Sequence, residues 1–441
     1  MDKFVVKGGE KLKGRISVFG SKNVALKTLV AACMSEDEVI VHNMPLISDV
    51  YAMIDIIKEL GGEVNFSNHT AKIRMKNFKT HSISLDKAAR VRTSAMFIAP
   101  LLARYGEAII PNPGGCRLGA RPIDRTIDGV ASLNADIKYY SDDGYFHAKT
   151  TGLKGTKYVF EKNTHTGTET LILAAVLANG TTVLENAAEE PEIDDLISIL
   201  NLMGAKIERS AKRQIKITGV QKLSGAEFTI SPDRNEIITF AIAAIGTGGD
   251  ILIENVGSQG IEEFLEALSK INAGYETSEQ GIRFYNKGEL TATNITTSIY
   301  PGFMTDWQAP WAVLMTQARG QSTIHETVFE NKLGYVNDLR RMGGKVGLFN
   351  PVVDNPQEVY NFNLEDDSSS YFHAVKITGP SKLHDAVVTM ADIRAGAAVV
   401  IAALMASGTS TIFGIDKIDR GYEALDERLK KIGANISRVA E

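Results

Sequence analysis

Residues 201–207 read NLMGAKI: the apolar end of an amphipathic helix, a small residue where the chain turns, then the start of a strand. The phrase returns as KELGGEV (58–64), ASLNADI (131–137), LSKINAG (268–274), RRMGGKV (340–346) and KKIGANI (430–436). Its last apolar residues before the turn are Leu60, Leu133, Met203, Ile271, Met342 and Ile432, separated by 73, 70, 68, 71 and 90 positions. Self-similarity at a near-constant step marks a repeated supersecondary unit, and finding it decides the fold before any single element is assigned. A second phrase keeps the same step: EDEVIVHN (36–43), YGEAIIPN (105–112), NGTTVLEN (179–186) and GGDILIEN (248–255), each a turn followed by a strand. Only the last step is long. Its excess of about 20 residues falls between Gly347 and Phe372 and reads as an inserted loop or flap.

Each repeat also holds a polar cluster followed at once by an apolar helix. The clusters are Ser21, Lys22 and Asn23; Arg92, Thr93 and Ser94; residues 164–169; Asp233, Arg234, Asn235 and Glu236; Thr305, Asp306, Trp307 and Gln308; and Asp392, Ile393 and Arg394. The helices behind them, such as VALKTLVAACM and GAAVVIAALMASG, are apolar nearly all round, which buries them in domain centres. One repeat cannot bury such a helix, but three packed together can. Two three-repeat domains are therefore expected, 21–231 and 1–20 with 232–441, the latter carrying the insertion near 348–372.

Helix N-termini expose unpaired N–H groups and a partial positive charge, so such clusters suit phosphates or carboxylates. Ser, Thr, Asp and Asn there are also ordinary helix caps, and for any one cluster capping is the simpler account. Capping does not explain Arg and Lys recurring in four of the six clusters. A polyanion site does. Lys22 and Arg394, hundreds of positions apart, are expected to grip one small acid.

The remaining composition narrows the classes. With 441 residues, 48 Lys+Arg, 53 Asp+Glu and 44% hydrophobic residues, the chain is mildly acidic and ordinarily globular. Its net charge of −5 argues against bulk nucleic-acid binding. The longest apolar run, residues 395–406, is too short for a membrane span, which needs roughly 20 residues. The opening MDKFVVKGGEKLKG lacks a signal core, so a cytoplasmic location is expected. Two cysteines make neither a disulfide framework nor a cysteine zinc site. No HExxH, GxxxxGK[ST] or well-placed GxGxxG occurs, so neither a catalytic metal, ATP chemistry nor dinucleotide redox chemistry is expected.

Residues 111–124, PNPGGCRLGARPID, hold three glycines and three prolines and exclude regular structure. Cys116 sits there between Gly115 and Arg117, with Arg121 nearby, a setting for a nucleophile or general acid rather than for packing. Cys33, on the apolar face of the first helix, reads as core. Asp306 reads either as a helix-start carboxylate or as a general base, and Glu330 and Asn331 carry the same two readings.

With these motifs in hand, the chain resembles the enolpyruvyl transferases. The likeness rests on GSKN, PGGCRLGARP, ENAAEEPEI, DRNE, TDWQA, ETVFEN, ADIRAGA and IDRGYE, and covers nearly everything but the insertion. It implies an α/β fold, a two-domain inside-out barrel of six βαβαββ-like repeats, three per domain, with the N-terminal strand joining the C-terminal domain. It implies transfer of enolpyruvyl from phosphoenolpyruvate to the 3'-hydroxyl of UDP-N-acetylglucosamine with loss of phosphate. That reaction is the first committed step of peptidoglycan synthesis, and so bears on cell shape and division. No metal or organic cofactor is implied, nor a nucleic-acid or membrane partner, and the chain would be a monomer or weak homo-oligomer.

The resemblance also assigns roles. Lys22, Arg121 and Arg394, assisted by Arg420, would hold phosphoenolpyruvate, with Arg92 supporting the anion cluster. Asn23 would contact the sugar, Asp306 would take the proton of its hydroxyl, and Cys116 would act as general acid or in product release and be alkylated by fosfomycin. Arg121, Pro122, Ile123, Asp124, Lys162, Thr164 and Val328 would line the nucleotide-sugar site. Residues 164–168 read THTGT where the family usually reads SVGAT, Met304 replaces a usual Pro, and Lys332 replaces a usual Arg. These departures leave open a different nucleotide-sugar acceptor as the alternative. A third reading, a non-catalytic nucleotide-sugar sensor, is disfavoured by retention of Lys22, Cys116, Asp306, Arg394 and Arg420.

Overall fold

The reason six phrases share one shape is local and lies at the turn. The amphipathic helices end on Leu60, Leu133, Met203, Ile271, Met342 and Ile432, all essentially inaccessible to solvent. The next residue is in every case left-handed: Gly61, Asn134, Gly204, Asn272, Gly343 and Gly433 have φ between 63° and 105°. Gly and Asn are the residues that tolerate this conformation, and the cap it makes reverses the chain so that the apolar anchor points inward. Burying one such side chain stabilises the fold by about 1.5–3 kcal/mol, enough to fix where each helix stops. A second left-handed position follows the outer strands, at Asn43, Asn186, Asn255 and Gly414. There the amides of Asn43 and Asn186 donate to the Ile230 and Phe160 carbonyls at 2.9 and 2.8 Å.

The structure, a computed structural model, describes residues 2–112 and 123–440. They fall into two compact units, one of residues 20–112 and 123–231, the other of residues 2–19 and 232–440. Each unit holds three small mixed sheets, and the pattern is the same throughout. In the first, Glu227–Thr229 runs parallel to Val39–His42, which pairs antiparallel with Thr70–Arg74, itself hairpinned to Glu63–Ser67. The sheet built on Glu107–Pro111 has three strands, its parallel edge reduced to a single bridge from Ser82 to Ile109. In the sixth sheet Lys3–Lys7 fills the place between Thr409–Phe413 and Asn435–Val439.

Inside each unit lie the apolar helices. Arg234–Gly246, Gln308–Met315 and Ile393–Met405 each touch the other two, and every residue is buried except the last of the first and third. In the other unit, Lys22–Ala32, Ile98–Arg104 and His165–Ala175 take this place. Helices within and sheets outside give the inside-out arrangement of six repeats. No helix among the described residues is long and apolar enough to cross a membrane.

The insertion is an overgrown hairpin. Hairpins elsewhere close in two residues (68–69, 212–213, 279–280) or four (141–144). Between Lys345–Phe349 and Ala374–Gly379, residues 350–373 intervene, with a short helix Pro356–Val359 and a 3₁₀ turn Leu364–Asp366. The strand runs on through Leu348 and Phe349, so the insertion begins two residues later than expected, because the ladder to Ala374 and Val375 continues that far.

Candidate active site

In the unit of residues 2–19 and 232–440, the site is built around Asp306. Asp306 lies on the 3₁₀ turn Thr305–Trp307 that leads into Gln308–Met315. The turn is pinned on both sides. Thr305 Oγ1 and Gln308 Nε2 donate to Glu326 Oε2 at 2.7 and 3.1 Å, and Trp307 Nε1 donates to Asn235 Oδ1 at 3.0 Å. Trp307 packs edge-on against Phe264 and Phe303. The other oxygen of the fully buried Glu326 accepts from the backbone N–H of Val328 and Phe329 at 2.8 and 3.0 Å. One carboxylate thus joins the Asp306 turn to the segment that carries Val328 and Lys332.

Two cations grip Asp306. Lys332 Nζ donates to Oδ1 at 2.7 Å, and Arg394 Nε donates to Oδ2 at 3.4 Å. Burial pushes the Asp306 carboxyl up, but Lys332 and Arg394 together outweigh it and hold the group well below the usual carboxylate range. Arg394 follows the cap residue Asp392, whose Oδ1 accepts from the N–H of Arg394 and Ala395 at 2.9 and 3.0 Å. Its guanidinium lies 5.3 Å from the Tyr422 ring. Arg394 Nη1 is buried with no hydrogen-bond partner among the described residues. A buried unpaired guanidinium N–H is costly, and an anion is the group that satisfies it best. Arg420 ends the neighbouring 3₁₀ turn Ile415–Arg420 and is half-buried.

In the unit of residues 20–112 and 123–231, Lys22 opens the helix Lys22–Ala32, and its buried Nζ lies 2.7 Å from Asp49 Oδ2. Ser21 makes no side-chain cap bond there, whereas Thr164, Asp233 and Asp392 all cap their helices. Capping therefore accounts for those three residues. Asn23, Lys162 and Ile123 are half-buried; Arg92 starts the 3₁₀ turn Arg92–Phe97; Asp124 is exposed at the start of Asp124–Ser132. Beneath Thr164, the fully buried Glu169 lies 3.3 Å from Lys27 Nζ and 3.2 Å from His165 Nε2. Burial pushes the His165 imidazole down, but Glu169 outweighs it and leaves the group above its ordinary value.

Cys116, Arg121 and Pro122 lie outside the described residues. Cys33 is core as expected, its thiol pushed up to about 12 by burial. Sequence reasoning placed Asp306 and Arg394 in the site, and the structure brings them together. That reasoning noted Lys332 as a replacement in a motif and held Glu326 within ETVFEN, but joined neither to Asp306, and it did not find Asp49. For Asp49 there was no signal short of the topology.

Over residues 6–429 the chain matches the EPSP synthase (3-phosphoshikimate 1-carboxyvinyltransferase) family, and it belongs to that family. Among individual relatives, it is 39% identical over 445 residues to a UDP-N-acetylglucosamine 1-carboxyvinyltransferase of Koribacter versatilis, covering 100% of this chain and 97% of that one. It is 40% identical over 436 residues to UDP-N-acetylglucosamine 1-carboxyvinyltransferase 1 of Caldanaerobacter subterraneus subsp. tengcongensis, with 99% of each chain covered. Its fold matches the enolpyruvyl transferase NikO from Streptomyces tendae with a TM-score of 0.85 at 20% identity, covering 100% of this chain and 99% of that one. It also matches EPSP synthase from Acinetobacter baumannii with a TM-score of 0.72 at 17% identity, each chain covered in full.

Proposed function

We propose that this chain is a UDP-N-acetylglucosamine 1-carboxyvinyltransferase acting in peptidoglycan synthesis, in the cytoplasm, as a monomer or weak homo-oligomer. The full-length likeness to curated enzymes of that name supports the acceptor. The observation that carries the chemistry is the Nη1 of Arg394, unpaired among the described residues, beside an Asp306 already gripped by two cations.

In this reading phosphoenolpyruvate brings a carboxylate and a phosphate to Arg394, with Lys22, Arg121 and Arg420 as further cations and Arg92 in support. Protonation of C3 gives C2 oxocarbenium character. The sugar 3'-oxygen bonds to C2 as its proton passes to Asp306, forming a tetrahedral adduct. Loss of a C3 proton and cleavage of the C2–O bond to phosphate then restore the enol ether. Fixed cations at the phosphate favour its departure. A carboxylate locked to Lys332 and Arg394 is a weak base, so the substrate anion has a second effect. By competing for the Arg394 guanidinium it weakens the hold on Asp306 and raises its basicity when the acceptor is in place. Cys116 supplies or removes the C3 proton or assists product release, and its thiol is where fosfomycin would alkylate. Asn23, Pro122, Ile123, Asp124, Lys162, Thr164 and Val328 contact the nucleotide sugar.

Phosphate release from phosphoenolpyruvate, measured with a panel of nucleotide sugars, tests the assignment. Release with UDP-N-acetylglucosamine is the expected result. Release with a different nucleotide sugar alone would replace the acceptor, and binding without turnover at any phosphoenolpyruvate concentration would make the chain a sensor.

A further inference from the structure

The insertion of residues 350–372 turns its buried side chains toward one place. Most of it is half-buried or exposed, with Val352 at 98%, but Tyr360 and Phe362 are 5% and 6% exposed and stack at 4.9 Å. They close over His373, whose ring lies 5.0 Å from Tyr360 and 5.2 Å from Phe362. The Tyr360 hydroxyl lies 3.2 Å from His325 Nε2, and Asp367 Oδ2 lies 3.1 Å from His373 Nε2. A two-residue turn suffices to close such a hairpin. Ordering two dozen residues instead costs backbone entropy that an idle decoration does not recover.

What this cluster touches is the end of the strand Gly320–His325, one residue short of Glu326. The N–H of Glu326 donates to the His373 carbonyl at 2.7 Å, and the N–H of Asn361 donates to the Thr327 carbonyl at 2.8 Å. Thr327 is tied on its other side to Thr297, by N–H to Oγ1 at 2.9 Å and by Oγ1 to the carbonyl at 2.6 Å. The insertion thus holds both neighbours of the peptide from which Glu326 reaches out to the Asp306 turn and to Val328 and Phe329.

We infer that residues 350–372 are a brace that sets the position of Glu326 and, through it, of Asp306 and Lys332, with Tyr360 as its positioning residue. The ring of Tyr360 does the holding, by packing on His373 and His325. The effect on turnover rests on the function proposed above, but the brace itself has a readout that needs no turnover. Trp307 and Trp311, the two tryptophans of the chain, sit on and behind the Asp306 turn, so intrinsic fluorescence reports that turn directly.

The test compares Tyr360→Ala and Tyr360→Phe in the full chain. Tyr360→Ala is expected to shift tryptophan emission and lower kcat about tenfold, because small displacements of a catalytic group are costly. Tyr360→Phe, which keeps the ring, is expected to restore both. Unchanged emission and kcat in a folded Tyr360→Ala, or a Tyr360→Phe as impaired as the alanine variant, would overturn the brace. If Tyr360→Ala does not fold, Asp367→Asn, which loosens His373 alone, takes its place: it is expected to shift emission and kcat in the same direction, and no change in either overturns the proposal. A wild-type chain that releases no phosphate while its emission still responds to Tyr360→Ala would remove the proposed function and leave the brace standing.

Discussion

Two carboxylate–guanidinium pairs sit in the same unit, one buried on both sides and one with a part-exposed carboxylate, and they are built to opposite ends. Glu236 and Arg428 make a closed pair: Nη1 donates to Oε1 at 2.7 Å and Nη2 to Oε2 at 2.8 Å. The remaining capacity is used too, with Arg428 Nη2 donating to the Ser17 carbonyl at 2.7 Å and the N–H of Phe19 donating to Glu236 Oε2 at 3.1 Å. The rings of Phe19 and Phe240 lie 4.6 and 4.7 Å from the guanidinium. Asp306 and Arg394 share a single 3.4 Å contact, Lys332 adds a second cation, and Arg394 Nη1 is left without a partner among the described residues. Burial lifts the Glu236 carboxyl above its usual range against the pull of Arg428, while Asp306 is held below its own. Full satisfaction marks a structural staple joining residues 17–19 to the helix Leu425–Lys431. One donor left unused among the described residues, beside an ionised carboxylate, marks a place prepared for an anion.

The same substitution at the two arginines separates these roles most sharply. Arg394→Met is expected to lower phosphoenolpyruvate-dependent turnover by about 10²–10³-fold, the usual loss when one fixed donor to developing charge is removed. Its unfolding midpoint should barely move, since Asp306 retains Lys332. Arg428→Met leaves Glu236 buried and unpaired and is expected to destabilise the fold by about 3–5 kcal/mol in denaturant unfolding. Adding Glu236→Gln should recover much of that loss. A stable, active Arg428→Met, or an unstable Arg394→Met, would break the comparison.

A third carboxylate, this one fully buried, sharpens it. Glu169 lies between Lys27 and His165 at ion-pair distances, yet neither of its oxygens has an aligned hydrogen bond among the described residues. Because Glu169 holds His165 above its ordinary value of 6.5, the folded state binds this proton more tightly than the unfolded chain does. The stability this contributes is fully present below pH 6.5 and is lost as pH rises through the folded value. His165→Gln is therefore expected to flatten the decline of the unfolding midpoint above that pH. Parallel profiles for wild type and variant would show that the ring is neutral throughout.

What could be read from the chain, and what could not, divides along physical lines. The repeat was legible because its determinants are local: an apolar anchor and a left-handed Gly or Asn, as at Leu60 with Gly61 and Leu133 with Asn134. Asp306 and Arg394 were legible as members of motifs. That Lys332 and Glu326 join the Asp306 turn was not, because both follow the inner strand Gly320–His325, whose pairing on either side no short window reveals. Thr164 shows the converse: it was expected to contact a ligand, and its hydroxyl also accepts from the N–H of Gly167 at 3.2 Å as a helix cap. In the insertion, Tyr360 and Phe362 alternate as strand residues do, so nothing in their spacing announces that both close over a histidine.

The finest test concerns Lys332, whose Nζ meets Asp306 at a single oxygen and lies 4.7 Å from the Phe329 ring. Removing its charge in Lys332→Met leaves burial opposed by Arg394 alone, so the Asp306 carboxyl rises. A base whose pKa rises loses its ionised form earlier on acidification. The acid limb of the rate profile should therefore move to higher pH by about one unit or more, the range over which a neighbouring opposite charge acts. Turnover near neutrality should change far less than in Arg394→Met, because Asp306 stays ionised there. Lys332→Arg restores the charge, and its fork can reach both Asp306 oxygens where the ammonium reaches one. It should return the acid limb to its wild-type position. An acid limb indifferent to all three residues at this position would mean that the titrating base is not the carboxylate Lys332 holds.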